Sequence, residues 1–343
     1  GDADEFNRIN KEEVVQYSRT NYPSPQSCGI LSLAFDRSEY RRFSQQLHLY
    51  TGWDRIHWQT EEGSYELEAF VHQHRNVSEY RVEFFDPYKN GLELSLGRVP
   101  SDLYAPEQAL CQDEFLGFVF QFPDGLQYVN LMTIQATPAV PIEAGRAVVA
   151  PATAGKLRIL QTRVSNRECE DPKRGAMDRL TACLEEEEDS ARAESERFWN
   201  RFWKRSCIEL ESQAVERTWY MGIYLIGSSS RRDSPAMPGL QGVWIEDYSP
   251  PWKADYHTDI NIQMNYWPVY TANHLDLAEP LYRCYRDLIP KFRKDTRAYY
   301  DAEGIKVPLA HDLEGNYMAG YIGGLFWQGS SAWIASHFWK NFL

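Results

Sequence analysis

One stretch of the chain reads Gly239-Leu240-Gln241-Gly242-Val243-Trp244, then Pro250-Pro251-Trp252, then His257-Thr258-Asp259-Ile260-Asn261-Ile262-Gln263-Met264-Asn265-Tyr266-Trp267-Pro268. Aromatic rings are interspersed here with amides and carboxylates. A protein core avoids so many polar groups, because each buried one needs a hydrogen-bond partner, and a solvated loop has few rings. A sugar-binding pocket uses both, with ring faces against C–H surfaces and polar groups against hydroxyls. We therefore predict such a pocket here.

The second half of this stretch can be interpreted as extended backbone. From Tyr256 to Gln263, an extended chain would place alternate side chains on opposite faces. One face would carry His257, Asp259, Asn261 and Gln263, and the other would carry Thr258, Ile260 and Ile262. A polar row backed by an apolar row presents functional groups to a cavity. The alternative is a capped turn that precedes a helix.

Asp259 and Asn261 are the candidate catalytic residues. Hydrolysis of a glycosidic bond with inversion needs a base that deprotonates water and an acid on the opposite face of the sugar, with carboxyl groups about 6.5–9.5 Å apart. Asp259 can be that base, or it can polarise Asn261 so that the amide oxygen orients the water. Carboxylates that could supply the acid are Glu246, Asp247, Asp255, Asp312 and Glu314, and their sequence context singles out none of them.

Six further residues are predicted to bind the substrate around this pair. They are Gln241, Trp244, Trp252, His257, Gln263 and Trp327. Trp252 follows two prolines, which should hold it in a rigid extended loop, so we predict a stacking wall rather than an edge of the core. Trp327 lies near a predicted helix start and could reach the pocket, although indole rings are more often core residues.

Composition indicates a globular protein, and its aromatic share of 14% fits either a groove for an uncharged polar ligand or large cores. A chain of 343 residues is long enough for two domains, since one core seldom exceeds about 250–300 residues. The net charge of −13 argues against nucleic acid or an anionic membrane surface as a partner. No apolar run approaches the ~20 residues that span a bilayer. The predicted partner is a carbohydrate, no cofactor or metal is expected, and no oligomeric state is indicated.

Short strands dominate residues 1–172. Tyr65–Val71 alternates apolar and polar side chains, and Pro123-Asp124-Gly125 between two apolar runs predicts a hairpin. Many such strands without a helical pattern between them predict an antiparallel β-sandwich. His72 and His74 form an HxH pair on a predicted strand, where surface positions are favoured over a metal site.

The period changes at Asp171-Pro172. Residues 177–205 predict one charged helical run, and we assign 173–212 to a helical linker pinned by i,i+4 ring pairs. These rings are Phe198, Trp199, Phe202 and Trp203. Helices are predicted again within residues 213–343, separated by a polar breaker at 228–238. Their apolar faces are Val215, Trp219, Ile223 and Ile226 in the first and Leu277, Leu281, Tyr285, Leu288 and Phe292 in the next. The chain ends within the last predicted helix, so we expect this domain to be incomplete at its C-terminus.

The motifs resemble the signature of glycoside hydrolase family 95, which contains inverting α-L-fucosidases and some α-L-galactosidases. The resemblance lies in Gly239–Trp244, Pro250–Trp252 and Asp259–Pro268, with a further likeness between Gly323 and Trp339. The family architecture implies an N-terminal β-super-sandwich, a helical linker and the start of an (α/α)6 barrel. This agrees with the order of elements that periodicity predicts.

The resemblance also implies roles for the polar residues. His257 matches a pocket histidine, and Asp259 and Asn261 match a pair of asparagines that holds the nucleophilic water. The first of the two is Asp here, so a carboxylate could perform the task of the base directly or mark a different substrate. The general acid and the activating Asp of the family lie further towards the C-terminus and are expected beyond Leu343.

An inverting exo-glycosidase that removes terminal L-fucose or a related sugar from glycans is the function that the resemblance implies. Two alternatives stay open. A sugar phosphorylase on the same scaffold would need an anion site near the pocket, and a carbohydrate-binding remnant would lack catalysis. Because polymeric glycans occur outside the cytoplasm, we expect a secreted or periplasmic protein, although the given N-terminus does not read as a signal peptide.

Overall fold

An antiparallel β-sandwich is followed along the chain by helices in the computed structural model. The structure describes residues 3–9, 12, 25–34, 41–61, 63–85, 92–101, 104–135, 139–143, 146–149, 155–318 and 322–343. Two compact units are formed. They are Cys28–Lys204 and Arg205–Leu343, and the second includes the described part of Gly1–Ser27, where helix α1 occupies Ala3–Ile9.

Strands make up most of the first unit. Their bounds are β1 Ile30–Ala34, β2 Arg42–His48, β3 Trp53–Gln59, β4 Ser64–Val71, β5 Val77–Phe84, β6 Leu92–Gly97, β7 Gln108–Gln112, β8 Phe115–Gln121, β9 Gln127–Gln135, β10 Ala139–Glu143, β11 Arg146–Val149 and β12 Gly155–Ser165. One antiparallel sheet has the order β1-β6-β11-β10, and the other has the order β2-β3-β4-β5-β12-β9-β8-β7. The predicted strand at Tyr65–Val71 and the predicted β8–β9 hairpin are both confirmed.

Apolar side chains between the two sheets form the main core. Strand β6 contributes Leu92, Leu94 and Leu96 at alternate positions, and β12 contributes Leu157 and Ile159 to the same cluster. All five side chains are buried. The two-residue period of β6 therefore marks its inward face, because successive side chains point to opposite faces.

The other face of the eight-stranded sheet is covered by helix α2 (Pro172–Glu185). Leu180 and Cys183 of this helix are fully buried in one cluster with Leu131 and Leu160 of the sheet. Because both faces of the sheet are covered, β12 is buried along most of its length and does not alternate between buried and exposed side chains.

The prediction of one helical run over residues 177–205 is wrong at its centre. Helix α2 ends at Glu185, and helix α3 occupies Ser190–Trp203. Residues 185–189 are all acidic, and carboxylates are unfavourable at the C-terminal turn of a helix because of its dipole and their own repulsion.

The predicted ring pairs do form on α3. The ring centroids of Trp199 and Trp203 lie 6.3 Å apart, and those of Phe198 and Phe202 lie 6.2 Å apart. Both α2 and α3 belong to the compact unit Cys28–Lys204. The domain limits of 1–172, 173–212 and 213–343 stay predictions.

The prediction of a surface strand position for His72 is wrong. This residue lies in the turn after β4 rather than on a strand, and it is buried rather than at the surface. Its Nε2 atom lies 2.8 Å from Glu79 Oε2. Arg158 donates to both carboxylate oxygens of Glu79 at 2.9 and 3.0 Å, and Arg81 donates to Oε1 at 2.7 Å. Among the described residues, no group of three or more His, Cys, Asp or Glu side chains could hold a metal ion.

Helices make up most of the second unit. Their bounds are α4 Gln213–Ser229, α5 Asn261–Thr271, α6 Glu279–Tyr300, α7 Ile322–Leu325 and α8 Gly329–Phe342, with a small sheet of β13 Tyr256–His257 and β14 Ala310–His311. Helix α6 buries the apolar positions expected from periodicity, which are Leu281, Tyr285, Leu288 and Phe292. No helix in the described part of the chain combines the length and apolar character of a bilayer span. The predicted order of a β-sandwich followed by helices is confirmed.

We expect Glu79→Gln to destabilise the sandwich by about 3 kcal/mol, because two arginines would lose a fully buried carboxylate partner. Hydrogen exchange of the amides in β5 and β12 measures the free energy of opening. The matched control is Glu83→Gln on the same strand, whose partner Lys156 is largely exposed, and it should cost less than about 1 kcal/mol. Equal losses in the two variants would contradict the prediction.

The same carboxylate should make the sandwich sensitive to acid. Burial by itself would raise the pKa of Glu79, but the hydrogen bonds from His72, Arg158 and Arg81 outweigh it and lower the pKa to about 2. The stability that this group contributes is present above its unfolded pKa of about 4.3 and is lost as the pH falls towards 2. In Glu79→Gln this part of the acid sensitivity should be missing.

Candidate functional site

A close backbone contact joins the two halves of the motif region. The Leu240 N–H donates to the Asp255 carbonyl oxygen at 3.0 Å. A Cβ atom at Gly239 would lie only 2.4 Å from the Ala254 carbonyl oxygen, so this position admits no side chain without a backbone shift. Gly242, at φ +66°, closes the turn, with hydrogen bonds between its backbone and that of Gly239. The glycines of the motif are therefore explained by packing and turn geometry.

Gln241 and Trp244 lie on this turn. The Gln241 side chain donates from Nε2 to the Pro251 carbonyl oxygen at 2.9 Å, which connects the turn to the double-proline segment. Trp244 is half exposed, and a Cβ at Gly242 would lie 2.7 Å from its ring. The indole therefore lies against the turn and keeps one side available to a ligand.

The segment after Pro250 is not the rigid extended loop predicted from its two prolines. Trp252, Lys253 and Ala254 have consecutive positive φ angles of 54°, 59° and 50°, which is a short left-handed turn. Residues other than Gly, Asn and Asp rarely adopt this backbone conformation, because their Cβ atom crowds the backbone. The Trp252 indole is 74% exposed and meets the His257 ring edge-on, with 5.7 Å between ring centroids.

His257 is held on a two-stranded sheet. In this sheet Tyr256 pairs with His311, and His257 pairs with Ala310. The Tyr256 hydroxyl donates to the Met237 carbonyl oxygen at 3.0 Å. These contacts fix the backbone position of His257.

The prediction that Tyr256–Gln263 is extended is wrong. Strand β13 ends at His257, residues 258–260 form a turn, and α5 begins at Asn261. Ile262, Tyr266 and Val269 are spaced as one helical face, and all are fully buried. Within 256–263 the alternation of Thr258, Ile260 and Ile262 fits a two-residue period, but the helical period extends over the longer segment to Val269 and decided the structure.

The side chains of the predicted polar row consequently diverge. Asp259 and Asn261 are partly buried at the turn and the helix start. Gln263 is fully buried and donates from Nε2 to the Thr258 carbonyl oxygen at 2.7 Å, so it braces the turn. The apolar row also differs from the prediction, because Thr258 is fully buried by polar contacts while Ile260 is 41% exposed.

Three side-chain oxygens of the predicted site are buried and receive no hydrogen bond from any described residue. They are Gln241 Oε1, Asp259 Oδ1 and Gln263 Oε1. Buried polar atoms are almost always paired, so unpaired acceptors indicate places where a water molecule or ligand hydroxyl is expected. All three are acceptors, which suits a ligand rich in hydroxyl groups.

Asp255 and His257 form a largely buried pair that was not predicted from the sequence. The Asp255 carboxylate is 3% exposed, and its Oδ1 atom makes a short hydrogen bond to His257 Nδ1. Burial by itself lowers the pKa of His257, but the hydrogen bond and charge of Asp255, with the charge of Asp259, outweigh it and raise that pKa. The signal was available, because residues two apart on an extended segment share a face.

The carboxylates considered as the general acid differ in their contacts and exposure. Asp312 Oδ1 accepts the backbone N–H groups of Glu314 and Asn316, both at 2.9 Å, so this carboxylate caps a turn. Glu246, Asp247 and Glu314 are exposed. The general acid stays unassigned within the described residues.

Trp327 lies just before α8 and is 43% exposed. Ser330, three residues later, bonds the Thr258 hydroxyl at 2.9 Å, so the start of α8 contacts the turn that carries Asp259. Trp333, by contrast, packs against Trp267, with ring centroids 6.2 Å apart. The substrate-binding role of Trp327 stays a prediction.

Comparison with known proteins agrees with the motif resemblance. The family model described as the Glycosyl hydrolase family 95 catalytic domain matches residues 162–343. Alpha-L-fucosidase 2 of Arabidopsis thaliana is 32% identical over 130 residues, which are 37% of this chain and 15% of that protein. Probable alpha-fucosidase A of Aspergillus niger is 35% identical over 127 residues, which are 35% of this chain and 16% of that protein. The matched part of the chain thus spans about a sixth of the length of these relatives.

A solved structure shares the fold. The chain is similar to a putative kojibiose phosphorylase from human microbiome, with a TM-score of 0.68 and 12% identity, over 91% of this chain and 45% of that structure. At this identity the likeness concerns the fold alone. It agrees with the predicted class of a β-sandwich followed by helices of an (α/α)6 barrel.

We expect Gly239→Ala to lower the free energy of unfolding by about 2–3 kcal/mol, because the new methyl group would overlap a backbone carbonyl oxygen. Gly222→Ala in α4 is the matched control. Its methyl group would meet no atom within 4 Å, so it should stabilise the helix by about 0.5–1 kcal/mol. Urea unfolding of both variants checks the prediction, and effects of the same sign would contradict it.

Proposed function

The chain belongs to glycoside hydrolase family 95, and we propose that the protein containing it hydrolyses a glycosidic bond with inversion, releasing terminal L-fucose or a related sugar from a glycan. The observation that carries this proposal is that one motif region holds both unpaired acceptor oxygens, at Gln241, Asp259 and Gln263, and exposed indole rings. Sugar hydroxyls can donate to such oxygens, while C–H faces of the ring pack on indoles. The two curated fucosidase relatives favour fucose among such sugars.

Asp259 and Asn261 are the proposed catalytic residues. Asp259 keeps one oxygen without a donor among the described residues, so it can accept a hydrogen bond from the nucleophilic water. A carboxylate there can remove the water proton as the C–O bond forms, and the Asn261 amide oxygen can orient the same water. The acid that protonates the leaving oxygen must then lie on the opposite face of the sugar, about 6.5–9.5 Å away.

The remaining site residues are proposed to bind the sugar. Trp252 and Trp244 offer indole faces at the surface of the motif, and Trp327 lies near the turn at Thr258. Gln241 and His257 offer polar groups, and the His257 ring contacts that of Trp252. Gln263 is proposed to act from beneath the turn, through its unpaired oxygen and its hold on the Thr258 carbonyl.

A phosphorylase is the second candidate on this scaffold. Phosphate would need a cluster of cations, and between Gly239 and Trp267 Lys253 and His257 are the only basic side chains. The pKa of Lys253 is lowered by burial, which weakens its hold on a proton and on an anion. Hydrolysis is therefore the better supported reaction. The proposed substrate is a glycan outside the cytoplasm, which makes a secreted or periplasmic location part of the proposal.

The test uses the full-length protein, with an aryl α-L-fucoside as substrate. We expect fucose release without added phosphate, and proton NMR should show the inverted anomer first. Asp259→Asn should lower kcat by about 10²–10⁴-fold, because the amide cannot remove a proton from water.

Asp287→Asn is the control, since Asp287 is an exposed carboxylate on α6 and should leave kcat unchanged. Full activity in Asp259→Asn would remove Asp259 from the role of base. Turnover that depends on phosphate would replace hydrolysis by phosphorolysis. Failure to act on fucosides and related glycosides would contradict the proposed function.

A further inference from the structure

A buried carboxylate lies directly behind the His257 ring. Asp255 accepts the ring Nδ1–H, and the backbone of Asp255 is itself held, because its carbonyl oxygen accepts the Leu240 N–H at 3.0 Å. Its side chain is 3% exposed, whereas that of His257 is 12% exposed. The carboxylate is therefore less accessible to a ligand than the imidazole is.

This arrangement determines what His257 can offer to a ligand. A carboxylate can only accept, so the Nδ1 atom must carry a proton, and Nε2 is the nitrogen left for other partners. No described residue makes a hydrogen bond to Nε2. The Trp252 ring, edge-on at 5.7 Å, limits the movement of the imidazole on one side.

We propose that Asp255 is a positioning residue that fixes the Nδ1 proton of His257 and favours a second proton on Nε2, so that this Nε2–H is directed at an acceptor oxygen of a neutral sugar. This inference rests on the proposed function for the identity of the ligand. It removes Asp255 from the candidate general acids, since a carboxyl group behind an imidazole does not reach the leaving oxygen. The Nε2–H of His257 would also add a donor to the site. Gln241 Oε1 and Asp259 Oδ1 can only accept hydrogen bonds from sugar hydroxyls, whereas Nε2–H can donate to a sugar oxygen.

The surrounding charges favour the protonated imidazole. Asp255 and Asp259 both stabilise positive charge on His257, and Lys253 is the nearby cation whose pKa burial lowers. On the paired strand, His311 is fully buried, and burial lowers its pKa to about 4, so that it stays neutral. Asp312, which follows it, is engaged in its turn. No group on the paired strand therefore competes with Asp255 for the role of counter-ion.

The sign of the pH dependence follows from the direction of the shift. Because the pKa of His257 is raised by folding, the stabilising charge of the pair is present below its unfolded pKa of about 6.5. It is lost as the pH rises through the raised folded value. Binding that uses the Nε2–H should weaken over the same range.

Long-range proton–nitrogen NMR of this chain tests the proposal on the imidazole itself. The chain has 8 histidines, and His257→Gln identifies the resonances of His257 by their loss. In the parent we expect an Nδ1-protonated ring that titrates above the ordinary value. In Asp255→Asn the amide oxygen can still accept from Nδ1, but without the charge the titration midpoint should fall by about one pH unit or more.

Asp255→Leu removes the hydrogen bond as well as the charge, and the midpoint should fall at least as far with mixed tautomers. The control is again Asp287→Asn, which should leave the midpoint unchanged. If Asp255→Leu does not fold, Asp255→Asn alone decides the outcome. An unchanged His257 titration in Asp255→Asn would overturn the proposal.

Kinetics of the full-length protein separate this inference from the proposed function. We expect Asp255→Asn to move the basic limb of the kcat/KM profile on aryl α-L-fucoside to lower pH and to raise KM more than it lowers kcat. If the parent shows no activity at any pH while the His257 midpoint still falls in Asp255→Asn, the proposed function is overturned and the positioning role is retained. Normal hydrolysis with an unshifted profile in Asp255→Asn would overturn the positioning role alone.

Discussion

The buried hydroxyl of Thr258 is the contact on which the geometry of the candidate site depends. It donates to the Pro308 carbonyl oxygen, lies 3.0 Å from the Leu309 carbonyl oxygen, and bonds the Ser330 hydroxyl at 2.9 Å. The Thr258 backbone adds two hydrogen bonds, one to Leu309 and one from Gln263. Each such bond contributes about 0.5–1.5 kcal/mol, and an unpaired buried group costs more, so the turn has one favourable arrangement. The strand that carries His257 and the helix that begins at Asn261 are thereby fixed relative to each other.

Much of the fold could be predicted from the sequence because its signals are local and repeated. The period of two over β4 and the Asp-Gly turn between β8 and β9 correspond to strands whose inward residues meet the core. The helical face of α6 was equally clear, since Leu281, Tyr285, Leu288 and Phe292 repeat the pattern over about three turns. The break between α2 and α3 was missed because helical spacing extends across it, and only the acidic cluster at 185–189 gives the signal.

The candidate site was predictable in its location but not in its geometry. The density of rings and amides pointed to residues 239–268, and the family match includes this region. The conformation of 256–263 depended on partners distant in sequence, namely Leu309 and Ser330, which no local pattern reveals. The prediction for His72 failed for a similar reason. Its burial depends on its partner Glu79, which Arg158 and Arg81 hold in the interior.

The left-handed turn at Trp252, Lys253 and Ala254 sets stability against orientation. A non-glycine residue in this region of backbone space costs roughly 1 kcal/mol or more, so three such residues in succession form a strained segment. Lys253→Gly would relieve part of this strain and raise the free energy of unfolding. It would also let the indole of Trp252 swing through a wider arc, away from the imidazole. At these three positions, a substitution that stabilises the fold is therefore expected to leave the orientation of the indole less well defined.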